Sequence, residues 1–436
     1  MAQHGGRITG IQSGVSGPTA FVLTHRSDDD PDAYCASLQA LAITRSLGRR
    51  GVPVVRVHPG TRELSLASRY CWRAEYSPNV HGSEYALLRF LLQTAQKYPG
   101  PKAIIPASDD TAYFLGRHRK ALSKAFRVVA PEADTVETII DKRRQLQAAR
   151  SLGIPIPETY FPRDLAQVQA LAPTLAGYPY IIKPNVAHRW RLSSVRNKMR
   201  APGAKAIVAR NAAELVEHYR HISLVDANLM VQRVVGGPER ELYGFFGYFD
   251  ERSQPLGYCV RSKIRQLPLG FGYCTLIESC AEDRVVSQSI RLLQGLGFHG
   301  LVGVEWKRDP QTGELLLLEV NARATNTSSL PPACGVDLPW MAFADAIGEP
   351  VAPVTQWKTG VKWVWLSEDV WAARQLGLGA LEWLKSLRGK KVGAVYAADD
   401  LRPFLLDSAL FLRKALGRRL RRFVPARVPS SGPAVP

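Results

Sequence analysis

The residues best suited to chemistry fall in two apolar stretches, Gly-Leu-Val-Gly-Val-Glu-Trp-Lys-Arg-Asp at 300–309 and Leu-Leu-Leu-Leu-Glu-Val-Asn-Ala-Arg at 315–323. Side chains alternate faces along an extended strand, so Glu319, Asn321 and Arg323 project from one side, Leu318 and Val320 from the other. The turn Asp309-Pro310-Gln311-Thr312-Gly313 pairs the two stretches and brings Glu305 close to Glu319. Two carboxylates, an amide oxygen and a guanidinium then share one surface. That is a hard-cation site beside an anion site, and such oxygen donors suit Mg²⁺ that also holds a nucleotide's phosphates. The simpler alternative is a hairpin with a polar outer face. The strands are apolar enough to be buried, however, and buried carboxylates need partners.

The elements that must position this hairpin are legible on both sides of it. Residues 20–25 read as a buried strand, 32–50 as a helix ended by Gly51, and 52–57 as a second strand. A helix over 84–97 leads to a third strand at 103–106. This strand–helix–strand rhythm predicts a parallel sheet. Ser108 and Asp109 follow the third strand, where open α/β sheets collect ligands; helix capping explains them equally well. No Gly-x-Gly-x-x-Gly follows the first strand, so a dinucleotide site has no support.

A second unit opens near Pro131, with a helix from Lys142 to Leu152 and a strand over 178–183 that ends in Lys183-Pro184. Residues 186–205 form a basic loop: a phosphate cover, a grip on an acidic substrate, or a solvated connection. A helix over 211–221 and strands over 228–234, 241–249 and 256–263 follow, giving this half an α+β character.

Composition bounds the rest. The chain has 436 residues, 46% of them hydrophobic and 22% charged, ordinary values for a globular protein of two or three domains. Its six cysteines are scattered without a Cys-x-x-Cys pair, which predicts free thiols and neither a disulfide framework nor a zinc site. No secretory signal or membrane span is expected, so the expected location is cytoplasmic, with peripheral membrane contact as a variant.

The net charge of +19 is concentrated: residues 385–427 hold twelve Lys/Arg and three Asp/Glu. Within this segment, 402–424 reads as a cationic amphipathic helix. It either packs its apolar side on the protein or lies on an anionic membrane surface. No nucleic-acid motif accompanies the charge, and nucleic acid is not expected as a partner.

The order of these features resembles the ATP-grasp superfamily over roughly 20–345, and within it the carboxylate–amine ligases that include D-aspartate ligase. The segments that carry the finer likeness are Ser68-Arg69-Tyr70-Cys71, Ile105-Pro106-Ala107-Ser108-Asp109, Gly247-Tyr248-Phe249-Asp250 and Arg261 to Pro268. The resemblance implies an α/β plus α+β architecture. A parallel-sheet pre-ATP-grasp domain would occupy 1–130 and a two-lobed ATP-grasp domain 131–348. A Trp-rich basic segment would follow over 349–427, with a disordered tail at 428–436.

It also implies roles. Lys142 and Lys183 match the phosphate-contacting lysines. Gln232 falls at the adenine hinge, with backbone contacts from Arg233 and Val235. Glu239 matches the ribose-binding carboxylate, and Glu241 competes for that role. Lys263 and Arg265, same-face neighbours on an extended strand, would face the triphosphate and the developing acyl-phosphate. Glu305 and Glu319 would bridge two Mg²⁺ ions (Mn²⁺ being a substitute), Asn321 would complete one shell, and Arg323 would stabilise transition-state charge. The implied reaction joins a small carboxylate to an amine at the expense of ATP. Rival readings are an ATP-grasp kinase or thiol ligase, and a membrane-associated ATP-binding protein without turnover. The sequence leaves the oligomeric state open. A glycine-rich lid is common in the superfamily, and the basic loop 186–205 stands in its place.

Overall fold

The computed structural model describes residues 17–25, 33–60, 63–186, 190 and 206–423; the side chains of 33–37 and 414–423 are outside the description. The basic loop therefore lies outside the described residues except at its first residue, Val186, and at Trp190; the 428–436 tail lies wholly outside them.

Five short strands form the first sheet: β1 (Thr19–Leu23), β2 (Val54–His58), β3 (Cys71–Tyr76), β4 (Lys102–Pro106) and β5 (Arg127–Val128). Its four strand pairings are all parallel, and the strand order is β3-β2-β1-β4-β5. The chain crosses from one side of β1 to the other between β3 and β4. The switch point therefore lies at the C-terminal ends of β1 and β4, beside Ser108 and Asp109. Ser108 caps helix Asp109–Arg117 through a capping box with Thr111.

A small antiparallel sheet follows, made of β6 (Thr159–Tyr160), β7 (Tyr180–Pro184), β8 (Ile207–Ala209) and β9 (Leu229–Arg233), in the order β6-β9-β7-β8. The third sheet has seven strands: β10 (Leu242–Phe249), β11 (Pro255–Leu267), β12 (Tyr273–Ser279), β13 (Gly300–Arg308), β14 (Leu315–Asn321), β15 (Lys362–Val364) and β16 (Lys391–Gly393). Their order is β14-β13-β10-β11-β12-β15-β16.

One face of this sheet buries Phe245, Phe249, Val302, Val304, Leu315 and Leu317 with Val285, Leu292 and Leu293 of helix Asp283–Gly295. Each such side chain contributes about 1.5–3 kcal/mol by leaving water. The other face joins the core of the first sheet through Phe246, Tyr248, Cys259 and Leu301. A single apolar cluster thus holds the parallel-sheet domain against one end of the large sheet. The opposite end of that face stays polar and carries the site.

The stretch after 349 supplies two strands to the large sheet and docks on the first domain. Asp400 accepts from buried Arg45 and from Ser68 Oγ at 2.9 and 2.6 Å. Asp399 pairs with Arg49 and Tyr70. Five cysteines among the described residues are free thiols. No described helix is long and apolar enough to cross a membrane.

Candidate active site

The hairpin forms as the residue spacing requires: β13 and β14 are antiparallel, with Glu305 opposite Glu319 and Gly303 opposite Asn321. A bulge next to Glu305 leaves Leu318 as the extra residue. Two further strands extend the row, since Glu305 lies opposite Gly244 and Gly244 opposite Arg261. Because Gly244 has no side chain, the Arg261 guanidinium lies across β10. A Cβ at Gly244 would stand 2.4 Å from Arg261 Nε. Arg261 Nη2 then donates to Glu305 Oε1 at 2.7 Å.

Two lysines converge on the other end of the row. Asp141 caps helix Lys142–Ser151 by accepting from the amides of Arg143 and Arg144. The Lys142 amide donates to Asn185 O at 2.9 Å, which ties the helix start to the end of β7. Gln145 clamps both backbone groups of Val320, next to Glu319. Lys142 Nζ consequently reaches Glu319 Oε1 at 2.9 Å. Lys183, near the end of β7, donates to Gln232 Oε1 at 3.1 Å and lies within the field of Glu319, Lys142 and Glu305.

The electrostatics follow from this crowding. Burial pulls the Lys183 ammonium down to about 8; Glu319 opposes that shift and Lys142 adds to it. Burial pushes the Glu319 carboxyl up, but Lys142, Lys183 and Arg323 outweigh it and hold the group at about 2. Glu305 is likewise held below the usual carboxylate range: burial opposes its ionisation, and Lys263 and Arg261 favour it more strongly. Both carboxylates are therefore ionised at neutral pH.

Arg323 lies just beyond β14 and reaches into the first domain. Its Nε and Nη2 donate to the two oxygens of Asp109, each at 2.9 Å, and Nη2 also donates to Asn321 Oδ1 at 3.2 Å. Asp109 is thus both a first-turn helix residue and the partner of a site arginine, joining the switch point of the first sheet to the carboxylate row.

The residues expected at the hinge and the ribose are also among the described ones. Gln232 is buried, its amide oxygen taken by Lys183 and its amide nitrogen donating to Thr159 Oγ1 at 2.9 Å. In this structure its side chain tethers the lysine, and Arg233 and Val235 lead the backbone away from it. The Arg233 side chain pairs with Asp309. Glu239 accepts from Gln266 Nε2 at 2.6 Å, and Gln266 Oε1 accepts from Lys263 Nζ at 3.2 Å. Glu239 is therefore linked to the lysine of the site face. Glu241 is committed elsewhere, to Arg308 at 2.9 Å and Tyr243 at 3.1 Å.

One sequence expectation is corrected. Lys263 and Arg265 do not share a face. A bulge between them sets Lys263 opposite Ile277 and Arg265 opposite Leu276, which are adjacent residues of β12. Lys263 stays with Glu305, whereas Arg265 turns to the far side and pairs with buried Asp369 through Nε at 2.9 Å and Nη2 at 2.6 Å. Arg265 is a structural residue in this fold.

Arg261 was not among the sequence-derived site residues; its one early signal was a place in a segment that carries the resemblance. Asp109 was raised only as a candidate beside helix capping, and its pairing with Arg323 was not foreseen. Arg261 is almost wholly buried, and its Nε and Nη1 have no hydrogen-bond partner among the described residues.

The donor set fits a nucleotide–metal pair. Among the described residues no group of three or more His, Cys, Asp or Glu forms a metal cage. Two ionised glutamates and one amide oxygen instead suit Mg²⁺, which prefers a few carboxylates plus phosphate oxygens. The surrounding Lys142, Lys183, Lys263 and Arg261, the last with donors to spare, suit the phosphates themselves.

A family profile described as "ATP-grasp in the biosynthetic pathway with Ter operon" matches residues 272–369. The chain is similar to D-aspartate ligase of Enterococcus faecium, with 21% identity over 56% of this chain and 58% of the relative. It is also similar to D-alanine–D-alanine ligase of Stutzerimonas stutzeri, with 27% identity over 42% of this chain and 54% of the relative. The chain spans about half the length of the curated relatives it matches. Among solved structures, L-amino acid ligase from Bacillus licheniformis superposes with a TM-score of 0.55 and 15% identity, covering 77% of this chain and 78% of that one. With a parallel sheet, a small antiparallel sheet and a large one bearing paired carboxylates, this chain has the fold of the ATP-grasp proteins it is similar to.

Proposed function

We propose that the protein is an ATP-dependent carboxylate–amine ligase. ATP transfers its γ-phosphoryl group to a substrate carboxylate, giving an acyl-phosphate and ADP. An amine then attacks the acyl carbon, the C–O bond to phosphate breaks, and an amide and inorganic phosphate leave. The observation that carries the reading is the row Arg261–Glu305–Glu319 with Lys142 and Lys183 converging on it. The similarity to D-aspartate, D-alanine–D-alanine and L-amino acid ligases supports an amino acid as one of the two substrates.

In this reading Lys142 and Lys183 hold the phosphates, Glu239 takes the ribose hydroxyls, and the backbone of Arg233 and Val235 takes adenine. Glu305, Glu319 and Asn321 would hold Mg²⁺, which supplies charge neutralisation between the phosphates. Lys263 and Arg261 face the transferred phosphoryl group. Arg323, oriented by Asp109, meets the charge that develops on the acyl centre; preorganised cations of this kind act most strongly in the transition state.

The test is an ADP-release screen of amino acids and small carboxylates against amines, run with a hydroxylamine trap. Hydroxamate formation with one carboxylate supports the ligase. ADP release with a phosphorylated alcohol or a thioester as product, and no hydroxamate, overturns it in favour of a kinase or thiol ligase.

A further inference from the structure

Seven of the twelve large exposed hydrophobic side chains among the described residues lie in one part of the chain, where Leu376, Leu381, Leu384, Tyr396, Leu401, Leu405 and Leu412 all face solvent. The short helix Ala380–Ser386 is the sharpest case: none of its residues is buried, although three of its seven are large and apolar. Its inner side is spoken for. Trp383 Nε1 donates to Asp369 Oδ2 at 2.8 Å, and Trp383 packs with Leu387 against Leu276 and Val364. Lys362 Nζ donates to Ser386 O at 2.9 Å and Arg388 O at 2.7 Å, which fixes the C-terminal end of the helix to β15. The helix is therefore a braced platform.

Its outer side is unusual. Leu381, Leu384 and Lys385 recur at the spacing that places residues on one helical face, and Arg388 follows just beyond the helix end. Leu381 is 73% exposed and Leu384 54%. Arg374, Lys385, Arg388, Lys390 and Lys391 are exposed around them. The only acid between 374 and 391 is Glu382. Its carboxylate is occupied by the Gly379 amide at 2.9 Å.

We propose that this face docks on an anionic lipid bilayer, with Leu381 and Leu384 entering the interface and Lys385, Arg388, Lys390 and Lys391 lying on headgroup phosphates. Charge complementarity selects an anionic surface. The protruding leucines select a fluid one, because a side chain standing this far out needs an acceptor that moulds around it, which acyl chains do without a matching pocket. The site differs from the end of the chain where the sequence first suggested membrane contact: it centres on a helix whose seven residues, 380–386, all precede the long terminal helix Arg402–Phe423. It does not depend on the ligase reading.

The test is sedimentation of the full chain with vesicles of phosphatidylcholine alone and of phosphatidylcholine mixed with phosphatidylglycerol. The chain pellets with the anionic vesicles only. Exchange of the exposed leucines in an L381S/L384S variant leaves the melting temperature unchanged and lowers partitioning at least about tenfold. Single neutralisation of Lys385, Arg388, Lys390 or Lys391 lowers it about fivefold each. The proposal fails if L381S/L384S pellets like the parent, which would assign binding to residues 413–427. It fails equally if the chain ignores anionic vesicles, or prefers an acidic protein or nucleic acid to them.

Discussion

Two arginines four positions apart on β11 meet opposite fates. Arg265 is sealed against Asp369, which also accepts from Thr275 Oγ1 and Trp383 Nε1, each at 2.8 Å. Arg261 makes one bond, to Glu305, and keeps two buried nitrogens without a partner among the described residues. A buried ion pair whose hydrogen bonds are met is close to neutral for stability. A buried donor left unmet costs about 1–3 kcal/mol. Such a cost fits a site that completes its bonding only when an anion arrives. On this strand, the face with satisfied charges holds the fold, and the face with unsatisfied charges is the one proposed to do chemistry.

The largest expected effects break that contrast from both sides. Asp369→Asn leaves the Arg265 charge buried and unmatched, so the protein loses about 3–5 kcal/mol of unfolding free energy, read by denaturant titration. Turnover per folded molecule stays near that of the parent. Glu305→Gln reverses the pattern: ADP release falls about 10²–10³-fold, and the stability loss is smaller than for Asp369→Asn because the Glu305 side chain is 30% exposed and that of Asp369 is not exposed at all. Equal damage to stability and turnover in both variants would erase the distinction.

Gly244→Ala comes next. The new Cβ collides with Arg261 Nε and pushes the guanidinium off the row, so turnover drops about tenfold or more without loss of nucleotide binding. Unchanged kinetics would mean that Arg261 does not act from where it lies.

A pH series sharpens the lysine end. Lys183 sits at about 8, below the usual lysine range, chiefly through burial. The free protein sheds this proton as pH rises through that value, and bound phosphate restores it. ATP affinity therefore falls above pH 8, by up to about tenfold per unit for one linked proton. For folding the sign is opposite: between about 8 and the ordinary lysine value the unfolded chain holds more protons, so this group's contribution to stability rises with pH. Lys183→Arg keeps its charge and flattens the affinity profile; a profile that stays steep in the variant assigns the titration elsewhere.

The smallest effect separates two glutamates. Glu239→Gln weakens ATP binding by about tenfold, whereas Glu241→Gln, engaged with Arg308 and Tyr243, leaves it within about twofold, measured by calorimetry.

The hairpin was readable because strand alternation and a Pro-Gly turn leave little freedom: Glu305 lies opposite Glu319 as spacing required. The parallel sheet was equally readable from its rhythm, although the short strand Cys71–Tyr76 was not anticipated. Arg265 was misplaced because one extra residue in a strand inverts the face of all that follows, and nothing in Ser-Lys-Ile-Arg signals a bulge. The Arg323–Asp109 pair spans 214 positions and arises only from domain packing. Strands β15 and β16 have three residues each, too few for alternation to register, so the segment after 349 read as separate from the sheet it completes.

Calorimetric titration of MgATP into the parent protein and into an E305Q/E319Q variant decides most directly whether the carboxylate row is the metal–nucleotide site. The expected result is Mg²⁺-dependent binding by the parent and its loss in the folded variant. Parent-like, Mg²⁺-dependent affinity in that variant would contradict the assignment.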